Sequence, residues 1–144
     1  MRSIRQYFDL ITSMVERSGA ESAEVESTQA DPMTGIVDGV VYFYDGSRLE
    51  FTERITIQHN RPVKRFYRYQ YVRAGEAVFR YDNASHHPGL PNFPHHKHIG
   101  NKKLSATEPT LSQVLGEVAS LLGAGTELPL PAPKRRRQSK KRKL

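Results

Sequence analysis

The 144-residue sequence contains no cysteine and no tryptophan, and it has no long apolar run. Without cysteine, a disulfide framework and a thiolate metal site are both excluded, so any metal ligands would be histidine and carboxylate side chains. No apolar run approaches the roughly 20 residues that cross a bilayer. The first residues alternate charged and apolar types and form no signal-peptide block. We therefore expect a cytoplasmic protein with no membrane partner.

Basic charge is concentrated at one end of the chain. The formal net charge is +7, yet residues 134–144 hold eight of the 22 Lys and Arg and no acidic residue. The rest of the chain therefore holds 14 basic and 15 acidic residues, a net charge of −1. A block of like charges repels itself and buries no apolar surface, so we expect a disordered tail. It would either tether nucleic acid non-specifically or only aid solubility. The candidate nucleic-acid-binding residues are Lys134, Arg135, Arg136, Arg137, Lys140, Lys141, Arg142 and Lys143.

Two periodicities divide the rest of the sequence. Apolar residues recur at helical spacing over residues 3 to 18 and 111 to 122, with Thr107 or Thr110 as the cap of the second helix. Residues 20 to 34 are small, acidic and aperiodic, which indicates a linker. Strands are predicted over residues 36 to 44, 48 to 58, 63 to 72 and 77 to 82, with a short fifth strand at 96 to 99. We expect Asp45 and Gly46 to supply two positive-φ positions of a hairpin turn, and residues 60 to 62 to form the next turn.

Short turns between successive strands indicate an antiparallel meander. The predicted fold class is α+β, in which an N-terminal and a C-terminal helix pack on a sheet of four to five strands. We expect a helix and acidic linker over residues 1–34, a core over 35–125, and a proline-rich and then basic disordered tail over 126–144.

Five of the six histidines lie between residues 86 and 98, in a segment that also contains three prolines. Histidine exchanges protons near neutral pH, binds metals through its neutral ring and contacts phosphate when charged. His96 and His98 are two residues apart, so extended backbone sends both to the same side. We predict a chemical site built from His86, His87, His96 and His98. Any single histidine could instead have only a structural role.

Strand alternation supplies candidate partners for this loop. Glu53 interrupts the apolar row of its strand, which predicts a general base or metal ligand, or else a structural ion pair with an arginine such as Arg80. Arg80 and Asp82 share one face of the fourth strand. Arg80 is suited to bind phosphate and Asp82 to orient a histidine, or the two form only a mutual salt bridge.

The loop is compatible with two chemistries. RNA cleavage without a metal needs a base, an acid and a cation on the phosphate, which the histidines, Arg80 and Lys97 supply. We therefore expect no obligatory cofactor. Alternatively, a divalent metal on His96 and His98 would take a third ligand from His86, His87 or Asp82.

Three alternating tyrosines, Tyr67, Tyr69 and Tyr71, follow the third predicted strand. They could stack on bases, but half-buried packing residues are the favoured interpretation.

Seven motifs along the chain together resemble those of one known family. They are Asp45-Gly46-Ser47-Arg48-Leu49, Glu53, Tyr67-Arg68-Tyr69, Phe79-Arg80-Tyr81-Asp82-Asn83, His86-His87-Pro88, Phe93-Pro94-His95-His96-Lys97-His98 and Pro109-Thr110-Leu111. In these motifs the chain resembles the TumE-like toxins of toxin–antitoxin systems. The resemblance covers roughly residues 35 to 123 and is most specific from residue 79 to 98. It implies a small cytoplasmic toxin neutralised by an antitoxin with a helix-turn-helix DNA-binding domain.

The leading hypothesis is an endoribonuclease toxin with RNA as its substrate. His86, His87, His96 and His98 would surround the scissile phosphate, Glu53 and Asp82 would orient them, and Arg80 and Lys97 would bind phosphate. The alternatives are a non-enzymatic nucleic-acid or protein binding module and a metal-dependent hydrolase.

Overall fold

A computed structural model describes residues 1–84 and 93–124 of the chain. In these residues, two helices pack on one face of a seven-stranded sheet. The elements in chain order are α1 (Ile4–Glu16), β1 (Ser22–Asp31), β2 (Thr34–Tyr42), β3 (Arg48–Gln58), β4 (Arg61–Arg73), β5 (Glu76–Asp82), β6 (His96–Ile99), β7 (Lys102–Ser105) and α2 (Leu111–Ala124). The strands lie in sequence order, each antiparallel to the next. The α+β meander predicted from the sequence is confirmed.

The predicted number of strands is wrong, because β1 and β7 were not expected. β1 occupies most of the predicted linker, and among its ten residues only Ala23 and Val25 are buried. All four residues of β7 are exposed. Both strands lie at edges of the sheet and bury little apolar surface, so neither shows the alternation that identifies a half-buried strand.

Both predicted helices are present, and their caps explain where they begin. Ser3 caps α1 by accepting a hydrogen bond from the Gln6 amide at 3.3 Å. At α2, Thr110 and Gln113 exchange backbone-to-side-chain bonds of 3.0 and 2.9 Å. This is a reciprocal capping arrangement, so the cap is Thr110 rather than Thr107. Neither helix in the described part of the chain is long and apolar enough to span a membrane.

The turns differ in detail from the predictions. Between β2 and β3 only Gly46 has a positive φ, of 89°, so the expectation for Asp45 is wrong. The β3–β4 turn begins one residue earlier than predicted and consists of His59 and Asn60, with φ values of 52° and 63°. Asparagine tolerates this region better than most residues with a Cβ, because its short side chain hydrogen-bonds locally.

The sheet has a helix-covered face and an open face. The helix-covered face carries the core, in which the apolar stripe of α1 packs with alternate residues of β2 to β5 and with the first turns of α2. Directly paired residues of antiparallel strands share a face. One such row on the open face runs across the sheet through Glu26, Asp38, Thr52, Arg68, Asp82 and His96. The basic tail lies outside the described residues.

Candidate functional site

Four side chains predicted from the sequence meet on the open face, at the end of β5 and along β6. Arg80 is paired with His98, and Asp82 is paired with His96, across the β5–β6 ladder. Because strand side chains alternate, this register brings the arginine, the carboxylate and both imidazoles to one side of the sheet. We call Arg80, Asp82, His96 and His98 the open-face cluster.

Asp82 is the centre of the open-face cluster. Its Oδ1 atom lies 2.9 Å from Nε2 of His96 and accepts a 3.0 Å hydrogen bond from the Ala84 amide. Its Oδ2 atom accepts a 2.9 Å hydrogen bond from Nε of Arg80 and lies 3.7 Å from Nε2 of His98. Both carboxylate oxygens of Asp82 therefore have polar contacts, and Asp82 contacts each of the other three side chains of the cluster.

Exposure divides the cluster into a buried pair and an accessible pair. The side chains of His96 and Asp82 are 2% and 5% exposed, whereas those of His98 and Arg80 are 16% and 29% exposed. The two imidazole rings meet edge to face with their centroids 4.8 Å apart. Of these four side chains, only Arg80 and His98 can contact a bound substrate directly. Asp82 and His96 can position those two side chains.

Hydrogen bonds orient both imidazole rings. Nδ1 of His96 lies 2.9 Å from the Pro94 carbonyl oxygen. That oxygen can only accept, so Nδ1 donates to it, and the ring turns Nε2 toward Oδ1 of Asp82. Nη2 of Arg80 lies 3.0 Å from Nε2 of His98. Since arginine can only donate, Nε2 of His98 is an acceptor with a lone pair.

Glu53 is not brought to this cluster, because it lies on the helix-covered face. Its carboxylate is fully buried and accepts short hydrogen bonds from the hydroxyls of Tyr7 in α1 and Tyr69 in β4. Nζ of Lys64 lies 3.9 Å from its Oε2 and donates to the Tyr69 hydroxyl oxygen at 2.6 Å. The ion-pair partner is therefore Lys64, and not Arg80, which bonds to Asp82.

This buried network changes the titration of its members. Burial raises the pKa of the Tyr7 and Tyr69 hydroxyls far above the ordinary tyrosine value, and the Glu53 carboxylate raises it further. Burial also lowers the pKa of the Lys64 ammonium, against the opposing effect of Glu53 and Glu108. The two tyrosines therefore remain neutral donors to a buried carboxylate.

Lys97, a predicted phosphate ligand, also lies on the helix-covered face. Its Nζ donates to Oε2 of Glu117 in α2 at 2.6 Å and lies 4.7 Å from the centre of the Tyr81 ring. Burial opposes the charge of Lys97, but the hydrogen bonds to Glu117 and Tyr81 raise its pKa overall. The structure thus joins Lys97 to α2 and separates it from His96 and His98.

His95 and the three tyrosines of β4 belong to the same helix-covered face. Nδ1 of His95 lies 3.0 Å from the hydroxyl of Tyr67, and the two rings stack. Tyr67, Tyr69 and Tyr71 are all 0% exposed, which confirms the packing interpretation and leaves them no surface for stacking bases. His86 and His87 lie outside the described residues, as does the basic tail.

The open-face cluster also contains a set of metal-ligand types. Asp82, His96 and His98 each offer one donor atom, and these atoms lie within 4.8 Å of one another. Asp82 thus lies close enough to His96 and His98 to serve as the third ligand of a metal site, which is one of the alternatives predicted from the sequence.

The buried network was missed by the sequence reasoning because of a β-bulge in β4. Arg54 pairs with Phe66, but Ile55 pairs with Lys64, so Arg65 is an extra residue. Strict alternation assigns Lys64 to the open face, opposite to the tyrosines of β4. The bulge instead turns it to the helix-covered face, where Glu53 lies. The available signal was that Glu53 in an apolar row of β3 required a cationic partner, and that Lys64 lies on the next strand of the meander.

Comparison with known proteins identifies the family. A family model described as toxin TumE matches residues 8–122, which include the whole sheet and most of both helices. The resemblance noted over residues 35 to 123 is therefore confirmed and extends into α1. No curated protein and no solved structure matches the chain.

Proposed function

The chain belongs to the TumE toxin family, and we propose that it arrests growth by cleaving RNA at the open-face cluster. The family implies an antitoxin partner. We further propose that this antitoxin carries a helix-turn-helix DNA-binding domain, as the resemblance predicts. The observation that carries the proposal is the accessible pair of Arg80 and His98, held by the buried pair of Asp82 and His96.

Phosphodiester transfer in RNA requires the chemical groups that this cluster supplies. The 2′-hydroxyl must lose a proton, and the phosphoryl oxygens must be neutralised as charge builds up on them. Arg80 offers planar, paired donors that match a phosphate. The lone pair of His98 Nε2 lies 3.0 Å from Arg80 Nη2, which places a proton acceptor next to the phosphate site.

The proposed reaction begins when a phosphate oxygen replaces His98 as the acceptor of the Arg80 Nη2–H bond. This exchange frees the Nε2 lone pair of His98 to take the proton of the 2′-hydroxyl. The 2′-oxygen then forms a bond to phosphorus, and the bond from phosphorus to the 5′-oxygen breaks. We propose that His86 or His87 donates the proton that the leaving 5′-oxygen requires, giving a 2′,3′-cyclic phosphate and a 5′-hydroxyl.

Asp82 and His96 act on this reaction through their neighbours. Asp82 binds Nε of Arg80, which aims the guanidinium while leaving its two terminal nitrogens for a phosphate. The other carboxylate oxygen of Asp82 lies 2.9 Å from Nε2 of His96, whose ring is oriented by the Pro94 carbonyl. Both are therefore positioning residues in the proposal.

Growth arrest on induction in a host without the antitoxin tests the proposal. We expect Arg80→Ala and His98→Gln to abolish arrest. Glutamine can still accept the Arg80 hydrogen bond through its side-chain oxygen, so it retains the contact and loses the proton acceptor. His59→Asn is the matched control, because His59 lies in the β3–β4 turn at φ 52°, which asparagine tolerates. Full arrest by both site variants would contradict the proposal.

We also propose that the basic tail supplies salt-dependent affinity for RNA. Eight cations that bind single-stranded phosphates contribute a slope of up to about 5–6 to log K against log salt. Truncation after residue 133 should remove this slope and leave cleavage at saturating RNA unchanged. An unchanged salt slope would indicate a tail that only aids solubility.

A further inference from the structure

We infer that Asp82, His96 and His98 form a binding site for one divalent transition-metal ion of the zinc class. Each residue offers one donor atom, and all three atoms lie within 4.8 Å of one another. Two of the three side chains are almost fully buried, which removes most competing water from the donors. The site is thus assembled on two adjacent strands of the sheet rather than on a surface loop alone.

The donor separations suit a tetrahedral ion. Ligands at about 2.0–2.1 Å from a tetrahedral ion lie about 3.3 Å from each other. Nε2 of His96 is 2.9 Å from one oxygen of Asp82, and Nε2 of His98 is 3.7 Å from the other. Each imidazole nitrogen is therefore within about 0.4 Å of the required separation from one carboxylate oxygen of Asp82. The three donor atoms, which lie within 4.8 Å of one another, would draw together around a single ion. Three protein ligands would leave the fourth position to water.

The surroundings of the donors are those of a metal site. A ligating histidine usually donates its second ring nitrogen to a carbonyl or carboxylate, which orients the ring. His96 does this through Nδ1 to Pro94 at 2.9 Å, with Nε2 toward Asp82. Asp82 is oriented in turn by the Ala84 amide and by Nε of Arg80. Both ligands are therefore held in place by bonds that an ion need not break.

The donor set selects among metals. Two imidazoles and a carboxylate favour zinc, cobalt and similar borderline ions, whereas magnesium and calcium prefer oxygen ligands and retain or require more of them. The site should therefore discriminate against magnesium even at millimolar concentration.

Arg80 would compete with a metal ion for Nε2 of His98. Its Nη2 atom donates to Nε2 of His98, so the guanidinium must release this atom before an ion can bind. It also places a positive charge beside the metal position. One consequence rests on the proposed function: an ion on Nε2 of His98 would take the proton acceptor, so metal would inhibit RNA cleavage. The structure thus assigns the cluster two alternative occupants, a phosphate on Arg80 or a metal on His98.

The test is cobalt and zinc binding to the purified full-length chain, measured by titration calorimetry and by the visible absorption of bound Co²⁺ without RNA. We expect one ion per chain and no response to Mg²⁺. His98→Ala should weaken binding by more than about 100-fold, because even residues that only orient a ligand change affinity by about 10–100-fold. Asp82→Asn should act in the same direction, and His59→Asn should bind as the unaltered chain does.

Arg80→Gln gives a result that a merely structural role would not produce. Glutamine removes the competing charge but keeps an amide N–H that can donate to Asp82 as Nε of Arg80 does. Metal binding should therefore tighten, whereas a variant damaged in folding would bind more weakly. No binding by the unaltered chain, or unaltered affinity in both His98→Ala and Asp82→Asn, would overturn the metal site. RNA cleavage measured in chelator, and again with added zinc, separates the proposed cleavage from the proposed inhibition by metal. Loss of cleavage in chelator would count against the metal-free reaction. Cleavage that is unaffected by saturating zinc would count against inhibition by the bound ion.

Discussion

Replacing Tyr69 by phenylalanine tests whether Glu53 stabilises the fold rather than acting in the reaction. The Tyr69 hydroxyl donates to a carboxylate that is 0% exposed, and the hydroxyl itself is fully buried. A hydrogen bond to a charged group contributes about 1.5–3 kcal/mol, against about 0.5–1.5 kcal/mol for a bond between neutral groups. We therefore expect Tyr69→Phe to lower the free energy of unfolding by about 1.5–3 kcal/mol.

Tyr71→Phe is the matched control for this prediction. Tyr71 lies two residues along the same strand and is equally buried, but its hydroxyl donates to the neutral Ser47 hydroxyl at 2.9 Å. We expect this variant to lose only about 0.5–1.5 kcal/mol. Removing the Tyr7 and Tyr69 hydroxyls together leaves Glu53 with Lys64 at 3.9 Å as its remaining partner among these groups. A buried charge deprived of its partners costs about 3–5 kcal/mol, so the double variant should lose at least that much.

The assay is urea-induced unfolding followed by circular dichroism, with thermal unfolding as a second measurement. For a chain of this size, a loss of 1 kcal/mol lowers Tm by about 3–4 °C. Cleavage per folded molecule should not change in Tyr69→Phe. A loss in Tyr69→Phe no greater than that in Tyr71→Phe would refute the reasoning, as would a cleavage defect in protein that remains folded.

Two further predictions concern the same buried network. Raising the pH above about 10 should lower stability by about 1.4 kcal/mol per pH unit for each of Tyr7 and Tyr69, because the unfolded chain loses these protons and the folded chain retains them. Lys64 has the opposite effect on the free energy of unfolding up to its ordinary pKa, because its lowered pKa makes the folded state bind fewer protons than the unfolded state. Urea unfolding at pH 8, 10 and 11 measures the net change of stability with pH. Stability that rises above pH 10 would contradict the prediction. Deleting Arg65 should remove the bulge but leave Lys64 paired with Ile55 on the helix-covered face, because Lys64 then directly precedes Phe66 in the alternation of β4. The deletion should therefore cost less stability than Lys64→Ala, which removes the contact with Glu53; an equal or greater loss in the deletion would argue against this register.

Periodicity and turn chemistry were sufficient for the elements that bury a full apolar face. The predicted second strand, residues 48 to 58, coincides with β3, whose alternate residues are buried. The short strand at 96 to 99 also coincides with β6, although His96 is its one buried residue. The edge strands β1 and β7 could not be predicted from periodicity, because backbone hydrogen bonds hold them in the sheet while few of their side chains are buried. In β1 only Ala23 and Val25 are buried, and no local pattern distinguishes such a segment from a linker.

Alternation also predicted part of the side-chain arrangement at the open-face cluster. It placed Arg80 with Asp82 and His96 with His98, and the register of β5 and β6 joins the two pairs. It could not show that Glu53 lies on the face opposite to Asp82, because the face of one strand relative to another depends on the register across every intervening turn and bulge. The sequence alone carries residue periods within strands, whereas the meeting of side chains between strands is a property of the folded sheet.

The cleavage rate of purified His98→Gln protein on single-stranded RNA tests the central claim most directly. The measurement is made in chelator at saturating RNA, beside the unaltered chain and the His59→Asn control, with circular dichroism to establish folding. General base catalysis contributes about 10²–10⁴-fold. We predict a loss of that size in His98→Gln, no loss in His59→Asn, and 2′,3′-cyclic phosphate ends in the products. A folded His98→Gln protein that cleaves RNA at the unaltered rate would contradict the account.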